Sequence, residues 1–123
     1  MQKGFLDSKD KIWEIPVKDR LGKNLILTKR RGSVIPKGKS AQDRLWFNID
    51  RLVWGRQSDY SDKVIFIEEL NWEHDKRKEL RFGYRTLSHK KGTWHWGQYA
   101  LIAPLSDVQE LLSYAVKKGM IIL

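Results

Sequence analysis

The sequence predicts an α+β fold: a mainly antiparallel sheet of about five to six strands with one C-terminal helix packed on it, in a single domain over residues 1–123. Three observations carry this. Val108, Leu111, Leu112, Ala115 and Val116 recur at helical spacing near the C-terminus. Residues 78–87 and 93–102 each contain apolar positions alternating with polar ones, the period of a half-covered strand. Val64-Ile65-Phe66-Ile67, after Lys63, is a continuous apolar run of the kind found in a central strand covered on both faces. At 123 residues the chain can bury one sizeable core and not two.

Taken in chain order, Ile12–Val17 and Asn24–Thr28 read as short strands separated by an Asp19-Arg20-Leu21-Gly22 turn. Lys29-Arg30-Arg31-Gly32-Ser33, with Lys37 and Lys39 beyond it, reads as a flexible basic loop. The segment Arg44–Trp54 fits either period, but its aromatic and β-branched content favours a strand. In the hairpin formed by 78–87 and 93–102, a loop of Ser88–Gly92 would set Leu87 opposite Thr93. Counting outward places Tyr84, Phe82 and Leu80 opposite Trp96, Gln98 and Ala100 on one face. The other face then gathers Arg85 opposite His95 and Arg81 opposite Tyr99, with Gly83 opposite Gly97. A helix is expected over about 107–118. Ser106 and Gln109 have the capping-box spacing, Lys117 and Lys118 suit the negative end of the dipole, and Gly119 supplies a left-handed stop.

Charge is the dominant global feature, with 24 Lys and Arg against 15 Asp and Glu and a formal net of +9. It is distributed in blocks. Residues 18–44 hold nine basic and two acidic side chains, residues 58–75 one basic and six acidic, and residues 76–91 seven basic and one acidic. Neighbouring elements can neutralise part of this, but the two basic blocks outweigh the acidic one, so a basic surface is expected on any folding of the chain. Hydrophobic residues at 41 % exclude an intrinsically disordered tail. Six Trp exceed what such a core needs, which places some indoles at a surface or a binding site.

Several chemistries are disfavoured by residue type and spacing. With no Cys there is no disulfide scaffold, thiolate zinc site or cysteine nucleophile, and His74, His89 and His95 lack the i, i+4 spacing of a helical zinc site. No metal or other cofactor is called for. Gly32–Ser40 ends in Gly-Lys-Ser like a phosphate-binding loop, yet five residues rather than four separate its glycines, and Pro36 lacks the amide hydrogen that such a loop uses. Glu68, Glu69, Glu73 and Asp75 suggest a metal-dependent nuclease, but adjacent residues of a strand point to opposite faces. Met1–Lys11 contains no apolar run of signal-peptide length, and no stretch approaches the roughly 18 apolar residues of a membrane span; a cytoplasmic protein with no membrane partner is expected.

What remains is a set of cations interleaved with aromatics. Arg81, Arg85, His95 and Tyr99 on one hairpin face, Lys90 and Lys91 at its tip, and Lys29, Arg30, Arg31, Lys37 and Lys39 in the earlier loop suit a nucleic-acid partner, DNA or RNA. Cations match phosphates, while flat rings and guanidinium planes stack on unpaired bases. The leading expectation is therefore a small, non-enzymatic nucleic-acid-binding module. Two alternatives stand beside it. One is a protein-interaction or inhibitor module that docks an acidic protein partner on a surface containing Trp13, Trp46, Trp54 or Trp72; the other is the nuclease.

Overall fold

The computed structural model describes residues 1–123. Eight strands and one helix follow one another as β1 (Lys3–Leu6), β2 (Glu14–Lys18), β3 (Asn24–Ile26), β4 (Arg31–Val34), β5 (Leu45–Arg56), β6 (Lys63–Trp72), β7 (Lys78–Leu87), β8 (Trp94–Trp96) and α1 (Leu105–Lys117). The fold is α+β, with a six-stranded antiparallel sheet in the order β1-β5-β6-β7-β8. Strand β4 is the sixth member and shares β5 with β1. It pairs with the first half of β5 (Arg31 opposite Asn48, Val34 opposite Leu45), and β1 pairs with the second half (Lys3 opposite Gly55, Leu6 opposite Leu52). Strands β2 and β3 form a separate two-stranded sheet.

Strand β6 is central because its sequence can be nothing else: every residue from Lys63 to Leu70 is buried. Strand β5 settles the ambiguity of its segment as a strand twelve residues long, with a bulge at Asp50 where the register slips between Ile49 and Arg51. Alternation then sends two side-chain sets to the two faces of the main sheet. Phe47, Ile49, Leu52, Trp54, Val64, Phe66 and Leu70 pack against Trp13, Ile15, Val17, Leu25 and Leu27 from the small sheet. On the opposite face Val53, Ile65 and Ile67 meet Leu111 and Ala115 of α1. The large sheet is thus a middle layer, covered by the small sheet on one side and by the helix on the other.

Three local expectations are corrected. Helix α1 begins at Leu105, and the Ser106–Gln109 capping box does not form. The Pro104 carbonyl accepts the Asp107 and Val108 amides, so the first turn is already wound there, leaving Ser106 and Gln109 inside it. At the other end Gly119 takes φ 80°, and the Met120 amide donates to the Ala115 carbonyl, as the sequence anticipates. The supposed flexible loop after Thr28 instead contains edge strand β4. The third correction moves the candidate site. The Ser88 amide donates to the Thr93 carbonyl at 2.8 Å, so four residues rather than five make the hairpin tip. Leu87 therefore faces Trp94, Thr86 faces His95 and Arg85 faces Trp96. A one-residue slip in register turns every side chain of β8 to the other face.

Candidate nucleic-acid interface

The small sheet covers only part of its face of the main sheet and leaves a groove of about 750 Å³. That is within the usual range for ligand-binding clefts, about 300–1,000 Å³. Trp13 and Leu27 wall one side, Phe47, Leu52 and Glu68 lie on the main sheet, Arg81, Arg85 and Trp96 close the far end, and Lys29, Arg31, Arg44 and Trp46 line the remainder near β4. Strands β4, β7 and β8 all contribute side chains, so the groove depends on their register around β5 and β6.

Its charge is unbalanced. Arg81 donates to both carboxylate oxygens of Glu68, at 2.7 and 3.3 Å, while its guanidinium also lies 5.2 Å from the Phe47 ring centroid and 5.0 Å from that of Trp96. Glu68 is buried at 5 % exposure, so this pair is fixed in place. Arg85 stands next to it, 5.7 Å from Trp96, with its Nε buried and without a hydrogen-bond acceptor. Burial lowers the Arg85 pKa; Glu68 raises it and Arg81 lowers it further, the field expected of two guanidiniums beside one carboxylate. At the β4 end Arg31 lies 3.8 Å over the Trp46 ring while donating to both oxygens of Glu73, at 2.8 and 2.9 Å. These bonds raise the Arg31 pKa and hold the Glu73 carboxyl below its ordinary value. Arg44 donates to the Ser33 hydroxyl at 2.8 Å, also beside Trp46.

Trp96 packs directly against strand β7 because residue 83 is glycine. A Cβ there would stand 2.3 Å from the indole Cη2, well inside contact distance. Trp96 is 38 % exposed and lines the groove, so part of the indole is open beside its cations.

The chain matches no family model, no curated protein and no solved structure.

The groove gathers some of the sequence-predicted residues and scatters others. Lys29, Arg31, Arg81 and Arg85 line it. Lys37 and Lys39 are exposed in the loop that leaves β4, and Lys90 and Lys91 are exposed at the hairpin tip. Arg30 is occupied elsewhere: it stacks 4.4 Å from the Trp13 ring and donates to the Asp10 and Lys11 carbonyls at 3.1 Å each. His95 and Tyr99 do not share a face with Arg81 and Arg85. They line a separate cavity of about 370 Å³ with Tyr84 and Thr86, where Oγ1 of Thr86 is 3.3 Å from Nε2 of His95. The cause is the register slip, together with the end of β8 at Trp96, beyond which no Arg81–Tyr99 pair can form.

Sequence reasoning missed Trp96, Gly83 and Glu68 as parts of the site. The signal for Trp96 is the pair of residues Ser88 and Thr93, whose closure of a four-residue tip decides which side of the hairpin the indole takes. The features behind the alternatives are dispersed. Trp13, Trp54 and Trp72 are buried, leaving Trp46 alone of that group exposed. Glu68 and Glu69 do point to opposite faces, and each is held by an arginine, Glu69 by Arg51 at 2.6 Å. No helix is long and apolar enough to cross a membrane.

Proposed function

We propose that this chain is a small basic nucleic-acid-binding module whose binding surface is the groove and its rim. One observation carries the reading: Lys29, Arg31, Arg44, Arg81 and Arg85 line a single groove with Glu68 as the one carboxylate among them, and Trp46 and Trp96 are exposed beside these cations. Phosphates supply the counter-charge, and bases are the flat partners that exposed indoles next to guanidiniums accept. Lys37, Lys39, Lys90 and Lys91, exposed in the loops that follow β4 and β7, supply further cations to this reading.

The test is fluorescence anisotropy with labelled DNA and RNA over a salt series. If about five phosphates are engaged, log affinity falls against log salt with a slope of about −3.5 to −4.5. Lys37→Glu with Lys39→Glu should weaken binding and flatten that slope, whereas Lys117→Glu, on exposed helix surface away from the groove, should change little. Failure of every nucleic acid to bind at low salt overturns the reading. So does equal loss of affinity in both variants.

A further inference from the structure

The far end of the groove differs from the rest in having its own platform and its own unmatched donor. Trp96 is pressed against the backbone at Gly83, with the Arg81 and Arg85 guanidiniums 5.0 and 5.7 Å from its ring, and the residue keeps 38 % of its surface exposed. Arg81 is committed to Glu68 and cannot turn toward a ligand without leaving a buried carboxylate unpaired. Arg85, by contrast, has a buried Nε with nothing to donate to, although buried polar groups are ordinarily satisfied. A half-buried guanidinium that lacks an acceptor and adjoins a partly exposed indole is matched by a ligand that brings both an anion and a flat ring.

We propose that Trp96 and Arg85 form a subsite for one unpaired nucleotide, its base stacked on the exposed part of the indole and its phosphate accepting from the Arg85 guanidinium. This deepens the nucleic-acid reading and rests on it. Bases in the interior of a duplex are excluded by the same geometry. A base within a duplex is stacked above and below, so its plane is not free to lie on Trp96. The nucleotide can belong to a single strand or be free in solution, and the chemistry recognised is the same.

Intrinsic tryptophan fluorescence of the intact chain, titrated with a ten-nucleotide single strand, the blunt duplex of that sequence, adenosine monophosphate, adenosine and inorganic phosphate, tests this. Saturable quenching by the single strand, with the duplex about tenfold or more weaker, is expected. Trp96→Leu should weaken single-strand binding about tenfold, with Trp96→Phe in between, and Arg85→Gln should weaken it while leaving the melting curve near that of the wild type. If the monophosphate binds more tightly than both adenosine and phosphate, a free nucleotide is also a ligand of the subsite; if only the strand binds, the subsite serves a chain. Either result supports the subsite. Duplex binding as tight as single-strand binding overturns it, as does single-strand affinity within twofold of wild type in a folded Trp96→Leu. In those cases the salt-dependent binding of the proposed module survives if Lys37 and Lys39 still matter. Absence of any binding at low salt removes both.

Discussion

At Gly83 the space a side chain would need is already filled. A Cβ there would meet three ring carbons of Trp96, the nearest at 2.3 Å, and the ring rests on strand backbone that cannot move aside. Gly83→Ala should therefore drive the indole off β7. It is expected to cost about 1–3 kcal/mol, as overpacking generally does, and to shift tryptophan emission to the red as the ring becomes solvated. Unchanged emission and an unchanged urea midpoint in this variant would refute the close approach. Asp107 makes the opposite kind of point. The sequence places it in the first turn of a helix, where a carboxylate is welcome anywhere; the structure buries it at 3 % exposure, accepting from the Ser58 amide at 2.8 Å and the Ser58 hydroxyl at 3.0 Å. It thereby fixes the β5–β6 turn to the helix. Asp107→Ala removes both hydrogen bonds that exposed Ser58 donates to this buried carboxylate, a loss of about 1–3 kcal/mol by chemical denaturation. A loss no larger than that of an exposed change such as Gln109→Ala would show that the contact is idle.

Whole elements were legible where one period ran long enough to exclude the other. The apolar run starting at Val64, the alternation in residues 78–87 and the helical spacing ending at Gly119 all became elements of the expected type. The strands that escaped, β1 and β4, are four residues each, too short to show a period. Strand β4 is four residues of Arg-Gly-Ser-Val whose pairing is decided by the exposed ladder edge of β5, a tertiary fact. The candidate site was half legible for the same reason. Composition and alternation put Arg81 and Arg85 on one face, but their neighbour across the strand depended on whether the tip held four residues or five, and periodicity does not report that. Beyond β8 the chain packs Leu101 and Ala103 against the helix-side core and is fastened by hydrogen bonds: the Tyr99 amide donates to the Tyr84 hydroxyl at 3.2 Å, and Lys63 Nζ donates to the Ile102 carbonyl at 2.5 Å. Lys63 is buried, and burial lowers its pKa while Asp59 raises it. A lysine whose folded pKa lies below its unfolded value carries a penalty at neutral pH. That penalty is relieved as pH rises from the folded value toward the ordinary one near 10.4. Across that interval the stability of the wild type should increase relative to Lys63→Met, which has no such proton to lose. Parallel stability curves from pH 7 to 10 would contradict it.

At the scale of the molecule, the three charge blocks fold into a largely paired middle with basic flanks. The acidic block lies on β6 and the turns at its two ends, between basic neighbours: Glu68 pairs with Arg81, Glu69 with Arg51, Glu73 with Arg31 and Asp62 with Arg20. The formal net over the whole chain remains +9. Two carboxylates at the periphery couple this pattern to pH. Hydrogen bonds from Arg31 are the main reason the Glu73 carboxyl sits below its usual value, and Lys3 does the same for Glu110, which also accepts from the N-terminal ammonium at 3.4 Å. Both folded values lie below the unfolded one, so their contribution is fully present above the ordinary glutamate pKa of about 4.3. It is lost as pH falls through the lowered folded values. Glu73 fastens edge strand β4, and Glu110 fastens edge strand β1 to α1. Acid should therefore release the two strands that share β5 before it releases β5, β6 and β7, while protonation raises the net positive charge and its self-repulsion. In a titration from pH 7 to 2.5, amide exchange in Lys3–Leu6 and Arg31–Val34 should accelerate first, and Glu73→Gln with Glu110→Gln should flatten the dependence of stability on pH below about 4.3. Simultaneous exchange throughout the sheet, or an acid limb as steep in the double variant as in the wild type, would place the acid-sensitive contacts in the buried pairs of Glu68 and Glu69 instead.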